Sequence, residues 1–237
     1  GYVFPRGSNT SLNSGGNIEV LPAHSTLAGD YPYGRMVYGG GTAGTLLGVT
    51  YADAMNENQV NFFNSQAIQG PAVRVSTEWL AVGHVDEIFL FLPNAMAQEG
   101  ERSWKVIIAS PSLAIAALEQ LVEEGLGDSL VFEGRDAETT VSEILANDDL
   151  MNYQDLAQAR IDSVRETLKV SAGLTDGDFV EVPVLYEYIV EGGGWGSNGV
   201  DMAVAYNPGI QNLVIADTTL FIPDPEGPKR NGLDVWQ

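Results

Sequence analysis

The sequence predicts a single α/β domain. Strand-like and helix-like segments alternate along most of the 237 residues, as they do in mixed α/β proteins. No low-complexity linker and no short-period repeat divides the chain. Hydrophobic residues make up 44% of the composition, which suffices for a packed core and is not typical of a disordered chain.

The first part of the chain predicts turns and short strands, because it is rich in Gly, Asn, Ser and Thr. We expect these strands at residues 17–21 and 35–38. Residues 52–66 carry apolar side chains at helical spacing, and residues 72–75 alternate like a strand. A helix followed by a strand is therefore expected here.

Two runs of β-branched and aromatic residues, at 87–92 and 105–109, predict buried strands. A helix should follow the second run, with Ser110 as its N-cap and Pro111 at its first helical position. Apolar residues recur at helical spacing from there until Gly125, which should end the helix.

The remaining chain alternates again between short strands and helices. The longer helix should end at Gly173, because glycine adopts the left-handed conformation that closes helices. The predicted elements are a strand at 130–132, a helix at 137–146, a helix at about 148–170, a strand region at 179–190, a glycine break at 192–194, and strands at 213–216 and 220–222.

The net charge of −21 limits the partners that the chain could attract. Nucleic acid and anionic membrane surfaces are disfavoured, since both require clustered Lys and Arg. A basic peptide or a divalent cation is favoured instead. The chain has no cysteine, so these residues supply no disulfide and no thiolate. The longest apolar runs are too short to span a membrane.

The two histidines lie in different contexts. His24 is expected to be a solvated loop residue. His84 lies two residues before Asp86, just ahead of an apolar strand, and an extended chain would place both on one side. An imidazole and a carboxylate sharing a cleft can do acid–base work, although a purely structural hydrogen bond is equally compatible with this spacing.

A glycine turn leads into Glu19 and offers hard oxygen atoms. One carboxylate with neighbouring backbone carbonyls is a ligand set that Ca²⁺ accepts. An ordinary turn entering a strand explains the same residues, because no acidic calcium loop is present. Phosphate-binding loops, dinucleotide motifs, HExxH and GxSxG are all absent from the sequence.

Several motifs, taken in order, resemble the C-terminal catalytic domain of the protein-arginine deiminases. The most specific is the segment from Trp79 to Glu87, Trp-Leu-Ala-Val-Gly-His-Val-Asp-Glu. Others are Gly16-Asn17-Ile18-Glu19-Val20, Tyr31-Pro32-Tyr33-Gly34-Arg35, Ala109-Ser110-Pro111 and Val131-Phe132-Glu133-Gly134. The resemblance extends over essentially the whole chain. It implies a partial pentein-type α/β propeller of pseudo-repeated ββαβ modules.

The resemblance also implies an activity, the calcium-dependent hydrolysis of peptidyl-arginine to peptidyl-citrulline and ammonia. His84 matches the family's general acid/base residue, and Asp86 matches a carboxylate that grips the guanidinium. The matching substrate-binding positions are Arg6, although one extra residue precedes it, and Val82. The matching calcium ligands are Glu19 and the carbonyls of Ile18 and Gly15.

The family's nucleophilic Cys lies downstream of the matched region, and its second guanidinium-binding Asp lies upstream. We therefore expect residues 1–237 to be an incomplete catalytic domain that does not turn over arginine alone. The resemblance suggests a cytoplasmic protein and leaves the oligomeric state open. Two alternatives are a calcium-independent deiminase of free arginine or a small guanidine, and a catalytically silent calcium-binding pentein scaffold.

Overall fold

The computed structural model describes residues 11–41, 44–46, 49–51, 55–66, 68–189, 202–217 and 219–237. Arg6 and the glycine break at 192–194 lie outside these ranges. Within the described residues, no helix is both long and apolar enough to cross a membrane.

The elements alternate as the sequence predicts. The helices are α1 (Glu57–Ser65), α2 (Pro111–Glu123), α3 (Val141–Leu145) and α4 (Asp148–Ala172). The strands are β1 (Ile18–Leu21), β2 (His24–Thr26), β3 (Gly29–Tyr31), β4 (Arg35–Gly39), β5 (Gly44–Leu46), β6 (Val49–Tyr51), β7 (Val73–Val75), β8 (Phe89–Pro93), β9 (Trp104–Ser110), β10 (Leu130–Val131), β11 (Thr139–Thr140), β12 (Phe179–Pro183), β13 (Tyr186–Ile189), β14 (Met202–Ala205), β15 (Val214–Ala216), β16 (Thr219–Phe221), β17 (Lys229–Arg230) and β18 (Leu233–Asp234).

Two three-stranded sheets share one topology. In the first, β1 and β4 pair antiparallel, and the chain returns through α1 so that β7 lies parallel to β4. In the second, β8 and β9 pair antiparallel, and β12 returns after helices α2 to α4 to lie parallel to β9. Each sheet is therefore an antiparallel pair joined by a helical crossover to a parallel third strand, which is a ββαβ unit.

Local sequence explains where the helices begin and end. Ser110 caps α2 as predicted, since its hydroxyl accepts the backbone N–H of Leu113 at 3.2 Å. Gly173 ends α4 in the left-handed conformation, with φ of 63°. The helix expected at 137–146 begins later, at Val141, because the Thr140 hydroxyl accepts the N–H of Glu143 and fixes the first turn there.

The strand region expected at 179–190 is divided into β12 and β13. The break lies at Val184 and Leu185, both fully buried, where the chain leaves one sheet and enters the next. The main core joins the β8–β9–β12 sheet to α4, and a second core lies beneath α2 and α3 around Trp236. Strand β1 contacts the turn that enters β8, so the two ββαβ units meet at that turn.

Candidate active site

His84 is the N-cap of a 3-10 turn, Val85–Glu87, and Asp86 lies within that turn, at the junction of the two ββαβ units. Their Nδ1 and Oδ1 atoms are 3.8 Å apart, and 17% and 27% of the two side chains are exposed. The sequence correctly predicts that they come together, but the expected cause is wrong. An extended chain does not align them; the tight turn does, because it brings neighbouring side chains close.

Glu87 holds this turn in place. Its carboxylate accepts the backbone N–H of His84 at 2.9 Å. Its carbonyl accepts both the Tyr186 hydroxyl and Gln211 Nε2, each at 2.7 Å. Sequence reasoning did not identify Glu87 as part of the site. The available signal was its position three residues after His84, the spacing at which a glutamate reaches back to the start of a helical turn.

A second segment, residues 11–19, packs against the His84 turn. It contains two 3-10 turns, Ser11–Asn13 and Gly15–Asn17, and then enters β1. Asn17 is fully buried and fixes this segment: its amide donates to the carbonyls of Leu12 and Gly39 at 2.8 and 2.9 Å and accepts the Gly39 N–H at 3.0 Å. The start of β1 is thereby anchored to the end of β4.

Gly16 brings the two segments into direct contact. A Cβ atom at this position would lie 2.5 Å from Asp86 Oδ2 and 2.6 Å from His84 Nδ1. Such distances are too short for any side chain, so the backbone can approach the pair this closely only because residue 16 is glycine.

The far side of the His84 ring contacts the turn that begins at Ser11. Nε2 lies 2.8 Å from the Ser14 hydroxyl and 3.0 Å from the Ser11 carbonyl. Nδ1 is therefore the ring nitrogen that faces Asp86. No local sequence signal identifies Ser14, because 70 positions separate it from His84.

Burial perturbs three carboxyl groups in this region. It raises the pKa of Glu19 to about 7, against a hydrogen bond from the Val20 backbone, and the charge of Asp86 raises it further. Burial also raises the pKa of Asp86 and that of Glu87, while the charge of His84 opposes both shifts. Among the described residues, no Lys or Arg forms an ion pair with any of the three.

The calcium ligands implied by the family resemblance lie in this same segment, beside Asp86. Ile18 is the first residue of β1, which is an edge strand of its sheet. The Gly15 carbonyl accepts the Ile18 N–H and keeps a second lone pair. A desolvated carboxylate beside free carbonyl lone pairs fits a hard cation.

This donor set is partial. Within the ranges that the structure describes, no three His, Asp or Glu side chains converge closely enough to hold a metal ion. Backbone carbonyls or residues from elsewhere would have to supply the remaining ligands, because Ca²⁺ takes six to eight oxygens.

The other predicted residues have different outcomes. Val82 is 40% exposed, and its carbonyl accepts the Ser11 hydroxyl beside the His84 turn. Arg6 lies outside the described residues. The expectation that His24 is a solvated loop residue is wrong. His24 lies on β2, is 93% buried, and stacks on Tyr31 with ring centroids 4.8 Å apart. It is buried because its hairpin packs against other elements.

Known proteins resemble this chain along nearly its whole length. A model of the protein-arginine deiminase family matches residues 1–237. Protein-arginine deiminase type-4 of Rattus norvegicus is 32% identical over 238 residues, and type-3 of Mus musculus is 34% identical over 240 residues. Type-1 of Homo sapiens is 32% identical over 244 residues.

These matches cover 98% of this chain but only 33% of each relative. The chain thus spans about a third of the length of the relatives it matches. The family model spans residues 1–237, a range that includes the His84 turn and the Gly16 segment that packs against it. The chain therefore belongs to the protein-arginine deiminase family.

Proposed function

We propose that the protein containing this chain hydrolyses peptidyl-arginine to peptidyl-citrulline and ammonia in a calcium-dependent reaction. Residues 1–237 would form an incomplete part of its catalytic domain. The observation that carries the proposal is the His84–Asp86 pair, partly exposed and 3.8 Å apart, in a region whose partly buried carboxyls lack a cationic partner among the described residues.

Asp86 suits the recognition of a guanidinium group. A carboxylate can accept two parallel N–H bonds from this planar cation. Burial raises the pKa of Asp86, which means that its charge is poorly solvated before the substrate binds. A guanidinium would supply the missing counter-charge and so favour the ionised carboxylate.

His84 suits proton transfer at Nδ1. Ser14 and the Ser11 carbonyl occupy Nε2, so Nδ1 alone faces the Asp86 carboxylate. In the proposed reaction a thiolate bonds to the guanidinium carbon, and the carbon–nitrogen bond breaks as Nδ1–H protonates the departing amine. Nδ1 then takes a proton from the water that displaces the thiol and yields the citrulline carbonyl.

The thiolate must come from outside this chain, which contains no cysteine. We therefore also propose that residues 1–237 alone form no citrulline. The two ββαβ units support the further proposal that the intact domain completes a pentein-type propeller. The substrates would be arginine-containing proteins or peptides, and a cytoplasmic location rests on family resemblance alone.

Glu19, with the carbonyls of Ile18 and Gly15, would hold calcium beside the catalytic pair. When bound, the ion supplies positive charge to a region where burial raises the pKa of Glu19 to about 7. The same residues would tie the segment containing Gly16 into one conformation against His84 and Asp86. The affinity for calcium should therefore fall when Glu19 loses its charge.

The test uses the intact polypeptide and measures citrulline from an arginine peptide and from free arginine, each with Ca²⁺ and with chelator. We expect calcium-dependent activity on the peptide. His84→Ala and Asp86→Asn should each reduce it by at least about 100-fold, since each removes a group that acts on the substrate. Glu19→Gln should raise the Ca²⁺ concentration needed for half-activation.

Asp155→Asn, an exposed change on α4, is the matched control and should behave as the wild type. Calcium-independent activity on free arginine would assign the protein to the small-guanidine deiminases. A folded intact protein inactive on both substrates would indicate a silent scaffold, and either result would refute the proposal.

A further inference from the structure

We propose that Ser14 is a positioning residue for His84, which fixes the ring so that Nδ1 is the nitrogen that exchanges protons. This inference rests on the proposed function and adds a residue to its machinery. It follows from the hydrogen bonds around a single ring nitrogen.

The position of the ring hydrogen can be deduced from the partners of His84 Nε2. The Ser11 carbonyl lies 3.0 Å from this nitrogen and can only accept a hydrogen bond, so Nε2 carries the hydrogen. The Ser14 hydroxyl oxygen lies 2.8 Å from Nε2 and accepts from the same N–H.

The other ring nitrogen is left for chemistry. With Nε2 as a permanent donor, Nδ1 carries the lone pair in the neutral ring and the second hydrogen in the cation. Nδ1 faces Asp86 at 3.8 Å, a separation too long for a direct hydrogen bond. Nδ1 is thus not engaged by a direct hydrogen bond to Asp86.

Ser14 also connects this ring to the rest of the segment. It directly precedes Gly15, and Asn17 anchors the same segment to Gly39 of β4. Ser14 is exposed and has an extended backbone, with φ of −84° and ψ of 165°. A threonine can adopt this conformation and present the same hydroxyl.

The first experiment measures kcat and KM of the intact protein on an arginine peptide at saturating Ca²⁺. Ser14→Ala should lower kcat about three- to tenfold, the loss expected from one hydrogen bond, with KM within about twofold. Ser14→Thr should restore kcat. Ser163→Ala, an exposed change on α4, should match the wild type. Unchanged kcat in Ser14→Ala would overturn the inference.

The second experiment does not depend on activity and therefore separates a failure of this inference from a failure of the proposed function. The Nε2–H proton of His84 is followed by NMR in the intact protein and assigned by its disappearance in His84→Gln. We expect slow exchange with water in the wild type and in Ser14→Thr, and at least about fivefold faster exchange in Ser14→Ala. Equal exchange in wild type and Ser14→Ala would refute the role of Ser14 even if the protein deiminates no substrate.

Discussion

Replacing Gly16 by alanine should disable the proposed catalytic pair, His84 and Asp86, while leaving the fold largely intact. The new Cβ atom would lie 2.5 Å from Asp86 Oδ2 and 2.6 Å from His84 Nδ1, whereas ordinary contacts begin at 3.4 Å. One or both side chains must therefore move by about 0.8–0.9 Å. A misplacement of about 1 Å in a catalytic group can cost about 100-fold in rate, so we expect kcat to fall 10- to 100-fold.

The cost in stability should be small by comparison. The displaced groups are the ends of two partly exposed side chains, so the overlap can be relieved toward solvent. Overpacking typically costs about 1–3 kcal/mol, and we expect the lower end of that range. For a chain of this size, 1 kcal/mol corresponds to a decrease in Tm of about 2–4 °C.

The assay measures kcat and Tm of the intact protein and of its Gly16→Ala variant. Two other glycine variants serve as controls. The Cβ added by Gly15→Ala would have nothing within 4 Å. The change in Tm of this variant therefore measures what it costs to replace a glycine in the same turn without a steric clash. Gly177→Ala, on the remote turn before β12, is the control for kcat, since its Cβ meets only the Thr175 hydroxyl at 3.8 Å. If Gly16→Ala retained wild-type kcat, the close packing of this segment against His84 and Asp86 would be refuted.

Three further predictions concern the fold around the site. Burial, reinforced by two nearby arginines, lowers the pKa of His24, so the unfolded chain binds a proton at this residue more readily than the folded chain does. The free energy of unfolding should therefore fall as the pH drops below about 6.5. His24→Phe should lessen that fall in urea titrations at pH 7.5 and 5.5. Gln154→Leu should lower the free energy of unfolding by about 2–4 kcal/mol, because it leaves the buried N–H and carbonyl of Tyr186 without the hydrogen-bond partners that Gln154 provides. The control Gln120→Leu, at an exposed position, should cost less than about 0.5 kcal/mol. Tyr186→Phe should cost only about 1 kcal/mol by the same measurement, because the Glu87 carbonyl keeps its second donor, Gln211; a cost as large as that of Gln154→Leu would contradict this account.

The parts of the structure that could be predicted are those with local causes. The start of α2 follows from Ser110 and Pro111, because a cap and a fixed φ act within one turn. The end of α4 follows from Gly173 for the same reason. The proximity of His84 and Asp86 was also predictable, since two residues separated by one position remain close in a strand or in a tight turn.

The parts that could not be predicted depend on contacts between distant segments. His24 reads as a loop residue because Pro22 and Ser25 flank it, yet its burial depends on a hairpin that stacks it on Tyr31. Ser14 contacts His84 only because β1 and the turn entering β8 meet in space. Residue patterns along a chain reveal period and caps, whereas such contacts are set by how complete units pack.

The electrostatics of the site bear on function more than on stability. Glu19, Asp86 and Glu87 all have a raised pKa caused mainly by burial, so their ionisation at neutral pH opposes folding. A chain under selection for stability alone would gain by replacing or pairing these carboxyls. Their cost is offset only when positive charge arrives, and the two proposed ligands, a guanidinium at Asp86 and calcium at Glu19, are both cations.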